Sequence, residues 1–157
     1  MRHNRAEKRQ IEQDKKYKSV LVAKFVNYLM KDGKKTVAKN VLYSAFDILK
    51  NKNQDAISLF ERAIQNIGPK QEVKPRRVGG ASYQIPIEVR ADRRTSLAIR
   101  WLIQAAKSRS NKEYHRFSEK LAQELLDAAE NRGEAVKKRD MVHRMAQANR
   151  AFAHFKW

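Results

Sequence analysis

The chain contains no cysteine, which excludes disulfides, thiolate metal sites and a thiol nucleophile and suits a reducing compartment. Proline and glycine are scarce, at three and five residues, so long uninterrupted helices are allowed and each of these residues marks a boundary. No run approaches the roughly 20 apolar residues of a membrane span, and no lipidation signal is present, so no membrane partner is expected. Acidic residues are few, 17 against 35 lysines and arginines. Residues 1–18 hold Glu7, Glu12 and Asp14 and no apolar run, so neither a secretory signal nor a transit peptide is expected. Catalytic patterns are missing as well: His3, His115, His143 and His154 form no metal-ligand spacing, and no glycine loop precedes Lys-Ser or Lys-Thr. Glu119, Glu124, Asp127 and Glu130 read as a solvated helix face rather than an acid–base pair. Neither an enzyme nor a cofactor, metal or small-molecule substrate is expected.

What is present is a net charge of +18 over 157 residues with 41% apolar content, enough for one domain with a real core. Self-repulsion on that scale makes sense chiefly if the partner is a polyanion. By segment the charge is +4 over 1–18, +4 over 19–69, +4 over 70–94, +1 over 95–131 and +5 over 132–157. The near-neutral segment is also the most apolar, which separates core from binding surface.

Residues 1–18 read as a basic tail, disordered alone, and residues 19–157 as a single helical domain. A first helix is predicted from Ser19 to Gly33, with Leu21, Phe25, Tyr28 and Leu29 on one face. Lys34 and Lys35 follow on a short loop, where they can point at one phosphate together or simply be solvated. A second helix is predicted over 36–50, burying Val41, Leu42, Ala45, Phe46 and Leu49, and a third carries Ile57, Phe60, Ile64 and Ile67 until Gly68-Pro69 stops it. A fourth, over 93–109 with Asp92 as its cap, is apolar almost all round and is expected at the centre of the domain, with Trp101 in the core. Its polar stripe is Arg93, Ser96, Arg100, Gln104 and Lys107. Arg93 and Arg94 sit where the helix dipole disfavours cations, which points to an external anion or to a salt bridge with Asp92 or Glu88. A fifth helix, over 113–130, is expected to bury Phe117, Leu121, Leu125 and Ala128. The sixth begins near Glu134, with an apolar line of Met141, Met145, Ala148 and Phe152 beside a polar line of Arg139, His143, Gln147 and Arg150. Lys137, Lys138 and Arg144 add charge. Phe155 and Trp157 near the end suit base stacking, partner docking or the domain's own core.

One stretch breaks the helical pattern. Over about 72–90, two extended runs flank Gly79-Gly80, which supplies the positive φ that a two-residue hairpin turn needs. With that turn, Arg76 faces Tyr83, Lys74 faces Ile85 and Glu72 faces Ile87, and Tyr83, Ile85, Ile87 and Val89 share one face. Pro75 and Pro86 suit the edges of an isolated ribbon. The reading is a protruding arm with Arg76 and Arg77 near its tip, mobile until a polyanion or a packed neighbour holds it.

These residues resemble the bacterial-type small-subunit ribosomal protein seven family. The similar blocks are Lys24 to Met30 with Asp32-Gly33-Lys34-Lys35, PRRVGGASYQIPIEV with Arg93-Arg94, Ala98 to Lys107, and KLAQELLDAAENRGEAVKKRD running into HRMAQANRAFAHFKW. They follow one another in order across nearly the whole chain, although the first 18 residues lack the Pro-Arg-Arg-Arg opening common in relatives. The resemblance implies a mainly α fold, a six-helix body with a β-hairpin arm between helices three and four. It implies direct binding of small-subunit ribosomal RNA, organisation of the 3′ major domain that forms the head, an arm beside the messenger RNA path and the exit-site transfer RNA, and contact with ribosomal protein eleven. It places the protein on a cytoplasmic ribosome or that of an organelle. On matching positions it carries over Arg2, Arg5, Lys34, Lys35, Arg76, Arg77, Gly79, Gly80, Arg93, Arg94, Lys137, Lys138 and Arg144 as RNA contacts.

Two other classes compete. A DNA-bending protein would lay the arm in a minor groove, but such arms usually pair in a dimer and no dimer seam is visible. A helix-turn-helix regulator needs exposed base-reading residues on its recognition helix, and the fourth helix is too apolar.

Overall fold

The computed structural model describes residues 9–52 and 55–155; Arg2, Arg5, His3 and Trp157 lie outside them. Six α-helices occur among the described residues: α1 Val20–Leu29, α2 Lys35–Asn51, α3 Ala56–Ile67, α4 Ala91–Ser108, α5 Phe117–Ala129 and α6 Glu134–Ala148. Strands β1 Gln71–Val78 and β2 Ala81–Glu88 form an antiparallel hairpin between α3 and α4, and a 3-10 helix, Arg150–Phe155, follows α6. The mainly helical architecture with one inserted arm is the expected one.

Local chemistry accounts for three of the six helix starts. Ser19 accepts a hydrogen bond from Val22 N at 3.5 Å and Asp55 accepts one from Ile57 N at 3.2 Å, so short polar side chains cap α1 and α3. Glu119 starts α5 by accepting from the backbone N–H groups of His115 and Arg116, at 3.1 and 3.2 Å. Two predicted ends shift. The first helix stops at Leu29 rather than Gly33, because Asp32 and Gly33 take positive φ, +50° and +71°, and turn the chain early. Asp92 does not cap α4: Arg90 holds the extended cap position, and Asp92 lies in the first turn, where a carboxylate favours the helix dipole.

The core is aromatic at one end, where Phe25 and Phe46 both meet Phe60 edge-on at centroid distances of 5.4 and 5.5 Å. Full burial of each such ring stabilises the fold by about 1.5–3 kcal/mol. The centre belongs to α5 and not to α4. α5 touches α2, α3, α4 and α6, and Leu121, Ala122, Leu125, Ala128 and Ala129 are all buried. Alanines at these contacts let neighbouring helices approach closely. Leu97 and Trp101 of α4 are only half-buried.

α6 is turned the other way round from the sequence expectation. Met141 and Met145 are 53% and 41% exposed, and Ala148 is exposed, while Ala135, Val136 and Ala146 are buried with Arg139 and His143 half-buried beside them. Polar contacts decide this orientation: Arg139 Nη1 donates to Asn66 O at 2.6 Å, and His143 Nε2 accepts from Lys70 N at 2.9 Å. Glu124 also departs from expectation. It is fully buried instead of solvated, bonded by Arg109 Nε at 2.7 Å and by Ala135 N at 3.1 Å.

Before α1, Asp14 is buried and accepts from Tyr43 Oη at 2.8 and 2.9 Å and from the backbone of Lys16 and Tyr17 at 3.1 and 3.2 Å. The Tyr17 ring meets Tyr43 and Phe46 edge-on at 5.5 and 5.1 Å, so the segment ahead of α1 is seated on α2.

Candidate nucleic-acid interface

The arm follows the register read from sequence: Arg76 pairs with Tyr83, Lys74 with Ile85 and Glu72 with Ile87, closing at Val78 and Ala81. Gly79 and Gly80 take φ of +57° and +88°, the left-handed geometry whose twist matches a two-residue hairpin. Arg76, Arg77, Gly79 and Gly80 are exposed, and nothing lies within 4 Å of a Cβ built on either glycine. The tip is therefore open to a large ligand. The apolar face of the arm is less exposed than expected: Ile85 is buried, and the Tyr83 ring lies 5.1 Å from that of Phe152. α6 and the 3-10 helix are the neighbours that cover it.

The base of the arm is held by arginine. Glu72 accepts from Arg93 Nε at 2.7 and 2.9 Å, with Lys74 Nζ at 3.8 Å. That carboxylate hydrogen bond raises the Arg93 pKa further above its usual value. Arg94 Nε donates to Gly68 O at 3.1 Å and Nη2 to Gln65 O at 3.3 Å, satisfying carbonyls at the end of α3. The contacts seen for these two are thus with Glu72 and with backbone carbonyls.

α4 links the arm to the remaining cations. Arg93, Arg100, Gln104 and Lys107 are exposed along it at helical steps that align them in one row. Lys138 Nζ bonds Gln104 Oε1 at 2.7 Å, which joins this row to the first turns of α6. Lys137 Nζ pairs with Glu134 at 2.6 Å, and Arg144 is exposed further along α6. At the other end Lys107 shares a cleft of about 290 Å³ with Lys31 and Lys34 of the α1–α2 loop, over a floor of Leu29, Val37, Val41 and Phe117. Lys35 is exposed at the start of α2. Lys31, Arg100 and Lys107 belong to this surface although only the stripe on the fourth helix hinted at two of them; Lys31 gave no periodic signal. The tip arginines stand apart from the rest, four to five residues from Glu72, or roughly 15 Å along a strand.

Among the described residues no group of three His, Asp or Glu side chains could hold a metal ion, and no helix is long and apolar enough to cross a membrane. What the surface offers is cationic hydrogen-bond donors on the arm, the α1–α2 loop, α4 and α6. Fold and charge thus define a basic helical protein with a β-arm, shaped to meet a folded polyanion.

Comparison with known proteins gives the family. The family described as "Ribosomal protein S7p/S5e" matches residues 1–150, and the chain belongs to it. It is 55% identical over 158 residues to the small ribosomal subunit protein uS7 of Caulobacter sp. (strain K31), covering 99% of each chain. The protein of the same name from Thermotoga neapolitana is 53% identical over 158 residues and is covered, like this chain, in full. That of Desulfatibacillum aliphaticivorans is 54% identical over 157 residues, with 99% of each covered.

Proposed function

We propose that this chain is a structural component of the small ribosomal subunit, which binds small-subunit ribosomal RNA directly and helps to organise the head. It belongs to a ribosomal protein family and is not an enzyme. The observation that carries the RNA reading is the row of exposed cations along α4, continued by Lys138 onto α6 and by Lys107 to the α1–α2 loop. Donors on separate elements suit the irregular backbone of a folded RNA better than the even groove of a duplex. In this reading Lys34, Lys35, Arg93, Arg94, Lys137, Lys138 and Arg144 contact the RNA, with Arg2 and Arg5 of a basic tail adding to them. The tip, Arg76, Arg77, Gly79 and Gly80, reaches the messenger RNA path and exit-site transfer RNA. Ribosomal protein eleven is the proposed protein neighbour, and the ribosome of the bacterial cytoplasm the working place.

Competition at fixed salt between a transcript of the 3′ major domain and duplex DNA of equal length tests it. The transcript should win by at least about 1,000-fold, the lower end of the usual range of specificity ratios for nucleic-acid proteins. Equal affinity for the duplex would restore the DNA-bending alternative.

A further inference from the structure

α4 and α6 diverge to leave an open cleft of about 410 Å³, lined by Trp101, Gln104, Ser108, Lys137, Lys138 and Met141. We propose that this cleft seats one unstacked base of the bound RNA, with Trp101 as its stacking surface. The proposal rests on the RNA-binding reading above and adds a nucleotide site to it.

The volume lies in the range of about 300–1,000 Å³ typical of small-ligand sites. Trp101 is expected in the core from its apolar neighbours, but it is only half-buried at the edge of the core cluster and lines the cleft. Its indole N–H has no hydrogen-bond partner among the described residues. Gln104 Oε1 accepts from Lys138 Nζ at 2.7 Å, an exposed bond that orients the amide. Its two amide N–H donors are unused by the described residues. Ser108 Oγ donates to Ala105 O at 2.8 Å, which leaves its lone pairs to accept. An aromatic surface, an amide donor and a hydroxyl acceptor within one cleft are the groups that hold a splayed-out base by stacking and by its hydrogen-bonding edge. Met141, 53% exposed on the opposite wall, supplies a polarizable surface for the other side of the ring.

The charge around the cleft agrees. Lys137 and Lys138 line it, and Arg100 and Lys107 flank Gln104 one turn before and after on α4. One acid, Glu134, also lines it and pairs with Lys137 at 2.6 Å. That pair is solvent-exposed on both sides, at 73% and 59%, so it holds Lys137 only weakly and the ammonium is free to swing to a phosphate. A base stacked on the indole face can accept from the Gln104 amide at its edge, while the indole N–H, which points outward in the plane of the ring, is left to a neighbouring phosphate or to water.

The chain holds two tryptophans, so a Trp157→Phe variant reports Trp101 fluorescence alone. Titrated with the 3′ major-domain transcript, its emission should be quenched in step with binding. Trp101→Leu should weaken that binding by roughly 5- to 100-fold, the usual effect of losing one stacked base, and Trp101→Phe, which keeps a ring, should restore most of it. Neither substitution should change the salt slope. Binding of the transcript with no change in Trp101 emission overturns the nucleotide site and leaves the RNA-binding reading standing. So does Trp101→Leu with wild-type RNA affinity, whether it loses thermal stability or instead fails to take up a neighbouring head protein. Failure of the folded, unsubstituted protein to bind the transcript overturns both.

Discussion

Glu124 is a carboxylate with no exposure at all, held between Arg109 and the backbone N–H of Ala135. Arg109 also pairs with Asp127, and Lys120 Nζ donates to Arg109 O and, at 2.6 Å, to Asn111 Oδ1. These bonds fasten the 109–111 linker to α5 and α5 to the start of α6. An ion pair like this adds little over an apolar pair of the same shape, but removing one partner strands a buried charge. Arg109→Met should therefore cost about 3–5 kcal/mol in urea unfolding, whereas Glu124→Gln, which keeps an acceptor and removes the charge, should cost less. Gly133 belongs to the same knot: its φ is +91°, and a Cβ there would lie 2.8 Å from Glu124 Oε1. Alanine at this position should destabilise the fold both by strain and by displacing the carboxylate.

His143 offers a pH test at the same scale. It is neutral when it accepts from Lys70 N. Burial first, and the Arg139 charge second, hold its pKa below the ordinary 6.5; Lys70 and Arg94 push the same way and Asp140 opposes them. The unfolded chain takes up this proton near pH 6.5 and the folded chain only lower. The unfolded state therefore binds more protons in that window, and the contribution of His143, full above about pH 6.5, is lost as the pH falls toward the folded value. Unfolding of the wild type at pH 7.5 and 5.5 should show a larger drop than that of His143→Gln. Equal drops would mean that the Lys70 contact does not depend on a neutral ring.

At the scale of elements the arm divides into a root and a tip. The root is covered, with Ile85 buried and Glu72 bound by Arg93. The tip residues Arg76, Arg77, Gly79, Gly80, Ala81 and Ser82 are exposed and contribute nothing to the core. Replacing 76–84 by a short Gly-Ser turn removes the Tyr83–Phe152 contact and, among the described residues, no buried core side chain, so the isolated body should still fold, and loss of that aromatic pair alone should cost about 0.5–1.5 kcal/mol. Ribosomes assembled with that protein should retain exit-site transfer RNA less well and hold reading frame less faithfully. Normal behaviour of those particles, or loss of the isolated fold, would remove the arm from the proposed function. The register of the hairpin was readable because a Gly-Gly turn and period-two alternation are local signals. The facing of α6 was not. Its methionines and its Arg139–His143 line both recur at helical spacing, and contacts from Asn66 and Lys70, more than 70 residues away in sequence, decide which line turns inward.

At the scale of the molecule the net charge of +18 should govern the salt dependence of RNA binding. Each neutralised phosphate contributes about −0.7 to −0.9 to the slope of log affinity against log salt. With contacts on the α1–α2 loop, α4 and α6, the slope should be steep, and replacing Lys34 and Lys35 by glutamine should make it shallower by about 1.4–1.8. A slope near zero would contradict a phosphate-dominated interface.

The amino-acid sequence by itself determined the six helices, the hairpin and its register, and the cationic balance, because periodicity, turn chemistry and charge act over a few residues. It also marked the basic positions at the arm, the α1–α2 loop and α6. Tertiary structure alone decided that α5 rather than α4 is central, that Glu124 is buried, that Arg93 and Arg94 hold the arm's base, and that Trp101 opens onto a cleft. Each of these depends on which distant element comes to lie opposite a side chain. A helix records its own spacing in sequence, but the neighbour that satisfies a carboxylate or covers an indole comes from elsewhere in the chain.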